Sequence, residues 1–186
     1  MINMGAPIEI ELKNLPEESI VLVVTKAESA FESGLAIVKF FTQKGEGGII
    51  LSASRPFSNL RDIYRKNAID SKKLFVLDCV SKNEGVSVQT DKNVIFLENA
   101  SDLTQISISI NTLIKSNKNI KFILIDSITT MLIHNKPDIL ARFIHSILTR
   151  MRIAQISCFS ISLENEVNRE VQAEIAQLCD KVLNIQ

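Results

Sequence analysis

Tryptophan is absent from this chain, tyrosine occurs once and histidine twice. Nine phenylalanines supply nearly all the aromatic content of a 186-residue chain that is 46% hydrophobic, so Ile, Leu and Val must carry the core. That composition suits a sheet of buried strands covered by helices. Neither His134 nor His145 has a second metal ligand at suitable spacing, which argues against a zinc site; His145 lies beside an apolar helical stripe and reads as a boundary residue. The three cysteines, Cys79, Cys158 and Cys179, are odd in number, form no CxxC pair and sit in apolar contexts. They read as buried thiols in a reducing compartment, not as a disulfide framework. No Gly-x-Ser-x-Gly elbow places a serine on a strand-to-helix turn, so a hydrolase triad is not expected. Charge of one sign is not in excess: 21 basic and 21 acidic residues give a formal net charge of zero. A neutral chain has no global field to attract nucleic acid or an anionic membrane. A long hydrophobic run is also missing. The most apolar stretch, Ile120 to Ile133, is interrupted by Lys121 and Asp126 and is too short and too polar to span a bilayer. The opening Met-Ile-Asn-Met-Gly-Ala-Pro has no basic region followed by an apolar run. The expectation is a cytoplasmic protein with no membrane association.

What is present is a repeated alternation. Residues 1–186 read as a single domain, long enough to bury a core without metals or disulfides. A polar lead, 1–17, contains the alternation Ile8-Glu9-Ile10-Glu11-Leu12, which reads as one edge strand, and Pro16, Glu17 and Glu18 mark a turn. Apolar runs then recur at Ile20–Val24, Gly48–Leu51, Leu74–Leu77, Val94–Leu97, Phe122–Ile125, Ile156–Ile161 and Val182–Ile185. Runs apolar on both faces are strands buried on both sides. Between them lie helical stripes: Phe31, Leu35, Val38 and Phe41; Leu60, Ile63 and Tyr64; Leu103 to Ile114; Ile139 to Met151; Val167 to Leu178. Pro137 and Asp138 open the fourth of these well, in the first turn and at the positive end of the dipole. The segment 80–93 is polar and reads as a loop. Such alternation predicts a three-layer αβα sandwich with a mostly parallel sheet and right-handed crossovers. Ligands of such sheets bind beyond the carboxyl ends of the strands.

The loop after the first strand is therefore informative. A phosphate-binding loop there is rich in glycine, so that backbone N–H groups can wrap the phosphate, and a lysine supplies charge. This one reads Thr25-Lys26-Ala27-Glu28-Ser29-Ala30-Phe31-Glu32-Ser33-Gly34. It has one glycine, at its end, two carboxylates where phosphates would lie, and Lys26 at the strand end. The strand Phe122-Ile123-Leu124-Ile125 ends in Asp126-Ser127. An acid at that place can hold Mg²⁺, directly or through water, or can simply cap the next turn or hydrogen-bond locally. Arg142, Arg150 and Arg152, with Lys136, make one helix basic. They read as a solvated outer face, as a partner contact, or as arginines reaching a neighbour's nucleotide. Arg55-Pro56-Phe57 reads as a loop packed on its own domain or as part of a partner surface. Lys115, Lys118 and Lys121 form a basic turn without interleaved aromatics, so a stacking platform for single strands has no support.

The order of elements, the Ile123-Leu124-Ile125-Asp126-Ser127 strand end and the closing segment Glu174 to Ile185, with Asp180 before the last strand, resemble the RecA-like ATPase domains of the KaiC group, common in archaea. The resemblance spans roughly residues 18–186 and implies a P-loop NTPase fold of the RecA type. Aligned on Ala36-Ile37-Val38-Lys39-Phe40-Phe41, it places Ser33 at the family's phosphate-binding lysine and Gly34 at its Mg²⁺-binding hydroxyl. Ala27, Glu28, Ala30 and Glu32 fall where glycines or small residues are usual. The family's catalytic carboxylates follow the second strand, where this chain has Ser52-Ala53-Ser54-Arg55-Pro56 and no acid. Only Asp126 remains in place. The resemblance, with these departures, implies a degenerate Walker A element, a vestigial nucleotide site and no cofactor. It points to a non-catalytic pseudo-ATPase that binds protein as a regulator or scaffold in archaeal signalling, with an active relative or further copies of itself as partner. Two alternatives stand beside it: a recombination-accessory protein helping an active recombinase on DNA, and a nucleotide sensor with an atypical loop.

Overall fold

The computed structural model describes residues 7–86, 91–164 and 169–185. Its strands are β1 (Ile20–Thr25), β2 (Gly47–Ser52), β3 (Leu74–Asp78), β4 (Val94–Phe96), β5 (Ile120–Asp126), β6 (Ser157–Leu163) and β7 (Lys181–Ile185). Its helices are α1 (Ile8–Asn14), α2 (Ala27–Gln43), α3 (Phe57–Lys66), α4 (Leu103–Ser116), α5 (Ile128–His134), α6 (Pro137–Ala154) and α7 (Arg169–Leu178). The strands form one sheet in the order β4-β3-β2-β5-β6-β1-β7, with every neighbouring pair parallel. All carboxyl ends therefore lie along one edge, and every crossover must return over a face of the sheet.

The apolar strand runs are buried because both faces are covered. In β1, Ile20 and Leu22 join a core cluster under α4, α5, α6 and α7, while Val21 and Val23 join a second cluster under α1, α2 and α3. In β5, Ile123 and Ile125 face the first helical layer, and Phe122 and Leu124 face the second. Each such side chain contributes about 1.5–3 kcal/mol relative to exposure. The stripes read from the sequence are the buried faces of the helices: Ile106, Ile110 and Leu113 in α4, and Leu140, Ile144, Ile147, Leu148 and Met151 in α6. Val167 and part of the 80–93 loop, residues 87–90, lie outside the described residues.

The lead differs from expectation. Residues 8–14 are a helix, not an edge strand. Ile8 and Leu12 are buried, whereas Ile10, on the same side of a hypothetical strand, is 51% exposed. Positions four apart share a helix face, and α1 uses that spacing to pack on α2. The alternation was compatible with both periods, and α2 selected the helical one.

Candidate functional site

At the carboxyl edge of the sheet, β1 ends at Thr25 and α2 begins at Ala27, so Lys26 alone joins strand to helix. Lys26 is extended (φ −69°, ψ 154°) and exposed. The Ser29 N–H donates to the Lys26 carbonyl at 3.1 Å, starting the helix at once. Ser33 is buried well inside α2, and its Oγ donates to the Ser29 carbonyl one turn back at 2.8 Å. Gly34 is buried too. A Cβ built there would lie 3.2 Å from Ile161 Cδ1 and 3.5 Å from Leu124 Cδ2, so the missing side chain lets α2 approach β5 and β6 closely. Past the first turn, helical N–H groups are committed to carbonyls four residues back. Residues 27–34 are thus a helix surface where a loop was expected. Glu28 and Glu32, four apart, share its exposed side, with Glu28 in the first turn where the helix dipole favours an acid. Phe31, one step round the helix, is half-buried and turns toward the sheet.

The segment after β2 folds over the same place. Ser52 Oγ donates to the Arg55 carbonyl at 2.7 Å, tightening the bend. The Arg55 guanidinium lies over the Phe31 ring, 4.1 Å from its centroid. Ser54 Oγ donates to Asp126 Oδ2 at 3.2 Å. Burial pushes the Asp126 carboxyl above the usual carboxylate range, and the Ser54 hydrogen bond and the nearby Arg55 charge only partly oppose it. Asp126 does not cap the following helix. Ser127 does, its Oγ accepting from the Thr130 N–H at 3.2 Å. Between Phe31, Gly34, Tyr64, Leu124 and Asp126 a cavity of about 10 Å³ is left, no more than the space of one water.

A further carboxylate at this edge escaped the sequence reading. Asp78, at the end of β3, is fully buried. Its Oδ2 accepts from the Phe57 N–H (2.7 Å) and Ser81 Oγ (2.6 Å), and its Oδ1 from the N–H groups of Val80 and Ser81 (2.8 Å each). It holds the first residue of α3 to the loop after β3. The signal was available: Leu77-Asp78 is an apolar strand ending in an acid, the same pattern that marked Ile125-Asp126.

No family model matches the chain, and no curated protein does. Solved structures match it well. A KaiC-like protein from the hyperthermophilic archaeon Pyrococcus horikoshii superposes with a TM-score of 0.67 at 16% identity, covering 100% of this chain and 81% of the other. An uncharacterized protein from Pyrococcus horikoshii, solved in complex with an unknown peptide, gives a TM-score of 0.69 at 14% identity, covering 95% and 81%. The fold is that of the KaiC-like, RecA-type proteins. At such identities the likeness speaks for the fold alone.

Within this KaiC-like fold, the basic side chains of α6 lie away from Asp126 and have partners of their own. Arg150 is half-buried, and its Nη1 donates to the carbonyl (3.2 Å) and Oγ (3.1 Å) of Ser107, tying α6 to α4. Arg152 donates to Asp180 Oδ1 (2.9 Å) and to the Leu178 carbonyl (3.1 Å). Arg142 pairs with Asp138 on its own helix at 3.1 Å, both well exposed. Phe57 is half-buried, edge-on to Phe96 at 6.5 Å, with Arg61 over its ring. Of the residues singled out in the sequence, the structure brings together Arg55, Asp126 and the α2 start, and disperses the rest. Among the described residues no helix is long and apolar enough to cross a membrane, and no cluster of three His, Cys, Asp or Glu is placed to hold a metal ion.

Proposed function

We propose that this chain is a non-catalytic KaiC-like domain that works by binding protein, as a regulator or scaffold. One observation carries the reading: a single residue, Lys26, separates β1 from α2. Phosphoryl transfer depends on positioned charge and on a cradle of backbone donors around the phosphates. Here the residues do not fit a bound triphosphate. Ser33 is buried and bonded back to Ser29, Gly34 is packed on β5 and β6, and Phe31 with Arg55 occupies the approach to Asp126. The Asp126 carboxylate faces a serine hydroxyl and an arginine, not an open metal position. The chain's zero net charge gives no support to a role on DNA.

With that edge closed, protein binding is the reading we adopt, and it is supported by a neighbour of this fold solved in complex with an unknown peptide. The test has two arms. Isothermal titration with ATP or ADP and Mg²⁺ is expected to give no heat of binding up to millimolar nucleotide. Affinity capture with the purified chain is expected to retain a defined protein in stoichiometric amount. Micromolar nucleotide binding that disappears in Asp126→Ala overturns the reading.

A further inference from the structure

Three non-glycine residues among those described have positive φ, and two of them line one cavity: Glu18 at 61° and Gln155 at 57°. Left-handed backbone is disfavoured for side chains of this kind, and where it persists the surroundings hold it. Gln155 ends α6, a place where glycine is the usual residue. Its Nε2 instead donates to Glu18 Oε2 at 3.3 Å, joining the two left-handed residues across the wall of the cavity.

The cavity lies at the amino ends of β5 and β6, marked by Lys121 and Ser157, on the opposite edge of the sheet from Asp126. Its volume is about 170 Å³. An apolar cavity of about 150 Å³ admits benzene, so there is room for one ring or one branched side chain. Its floor is aromatic and fixed: Phe41 stacks on Phe122 at 4.5 Å and meets Phe159 edge-on at 5.6 Å. Lys44 lies over the Phe40 ring at 4.3 Å.

The walls carry charge of both signs. Lys13, Lys44 and Lys121 stand with Glu17, Glu18 and Glu46, and no ion pair among the described residues joins any of these six to another. Three cations and three anions around one small opening, left unpaired with each other, suit a ligand that brings both charges itself. A purely cationic or anionic ligand would satisfy one set and be opposed by the other.

We propose that this cavity binds a small zwitterion with one apolar side chain, of the class of free phenylalanine or leucine. The side chain would rest on Phe41 and Phe159, with the ammonium and carboxylate among the glutamates and lysines of the rim. The left-handed Glu18–Gln155 pair would keep that rim in shape.

Titration of the whole chain with L-phenylalanine and L-leucine, against phenethylamine and 3-phenylpropanoate as single-charge analogues, tests the idea. The zwitterions are expected to bind at least tenfold tighter than either analogue. Lys44→Gln and Glu46→Gln, both at partly or fully exposed positions, are each expected to weaken binding about tenfold while shifting the melting temperature by no more than a few degrees. Gln155→Gly is expected to raise the melting temperature while lowering affinity, a combination that a purely structural role would not give. Absence of binding at millimolar zwitterion overturns the proposal, as does equal binding of the single-charge analogues or unchanged affinity in all three variants.

Discussion

The guanidinium of Arg55 lies 4.1 Å from the centroid of the Phe31 ring. Arg55 comes from the bend after β2 and Phe31 from the second turn of α2, so the contact joins two segments at the carboxyl edge of the sheet. It is maintained from below by Ser52, whose Oγ holds the Arg55 carbonyl at 2.7 Å, and it places a positive charge near Asp126. The closure of this edge is thus a set of specific contacts, and each can be tested.

The Arg55–Phe31 pair is accessible to a double-mutant cycle. A partly exposed cation over an aromatic face contributes about 0.5–1 kcal/mol. Arg55→Ala, Phe31→Ala and the double variant, compared by urea unfolding, are expected to show a coupling energy of about that size. Phe31→Ala alone is expected to lose more than Arg55→Ala, because it also removes half-buried surface from the α2–sheet contact. Additive single effects would mean that the two side chains are neighbours without interaction.

Asp126 has its carboxyl pushed up by burial against the opposing Ser54 hydrogen bond and Arg55 charge. A carboxyl whose folded pKa exceeds its unfolded value of about 3.9 adds stability that is complete below that unfolded value and lost as pH rises through the folded one. At neutral pH its ionised form therefore works against the fold. Asp126→Asn keeps the shape and an acceptor for Ser54 without the charge. It is expected to raise the melting temperature at pH 7, with the gain shrinking to nothing near pH 4. A variant less stable than the parent at pH 7 would show that the charge is needed by something at this edge.

The fold was legible because its strands are apolar on both faces and its helices on one. Ile20–Val24 and Phe122–Ile125 leave few other readings for a chain without a membrane-length run. The site was legible only as a set of missing residues. The sequence shows no glycine-rich loop, but it does not show that the helix starts at Ala27, and the helix phase depends on that start. Hence Glu28, Phe31 and Glu32 were equal candidates to fill the site, whereas the two glutamates share an exposed side and Phe31 alone of the three turns inward. The cavity between Glu18 and Gln155 was invisible for another reason: these two walls are more than a hundred residues apart in the chain and meet only when β1 and β6 are paired. The alternation in Ile8–Leu12 fitted two periods at once, and no local signal separates them.

Asp78 supports a prediction about stability alone. It is the one acceptor for four donors at the turn after β3, including the first N–H of α3. Removing a buried charged acceptor leaves its donors unsatisfied at about 1–3 kcal/mol each, less what water recovers. Asp78→Ala is expected to destabilise the chain by at least about 3 kcal/mol in urea unfolding, far more than Asp126→Ala. Similar losses for the two would mean that Asp126 holds its edge of the sheet together as Asp78 does.

The thiols should be slow to react. Burial pushes Cys79 and Cys158 up to about 12, and Cys179, half-buried and beside Asp180, up to about 11. The thiolate is the nucleophile, and for Cys179 at pH 8 it would be about one part in a thousand. Under native conditions all three are expected to alkylate at least tenfold more slowly than free cysteine, with Cys179 first, and to become equal once the chain is unfolded. Mass spectrometry after timed iodoacetamide treatment reads the order directly. Fast modification of Cys158 would mean that β6 opens far more readily than its burial implies.

The strongest prediction concerns an attempt to rebuild the nucleotide site. If the chain had lost activity only through two side chains, Ser33→Lys with Gly34→Thr would restore the lysine and hydroxyl that the KaiC-like resemblance places there. The structure argues otherwise. Ser33 is buried at 2% exposure, and its replacement must carry an ammonium into that space or leave it. Gly34 has Ile161 Cδ1 at 3.2 Å from the position of a Cβ, so a branched side chain there forces Ile161 or α2 to give way. Overpacking of this kind costs about 1–3 kcal/mol. Even with both groups in place, residues 27–34 remain helical, and their N–H groups beyond the first turn are already bonded. The double variant is therefore expected to melt lower than the parent and to gain no stability from 1 mM Mg-ATP. A ligand at a hundred times its dissociation constant stabilises by about 2.7 kcal/mol, so even 10 μM affinity would be plain in a melting curve. A clear upward shift with Mg-ATP would mean that the first two turns of α2 can unwind into a loop, and that the closed edge is one state of this protein and not its only one.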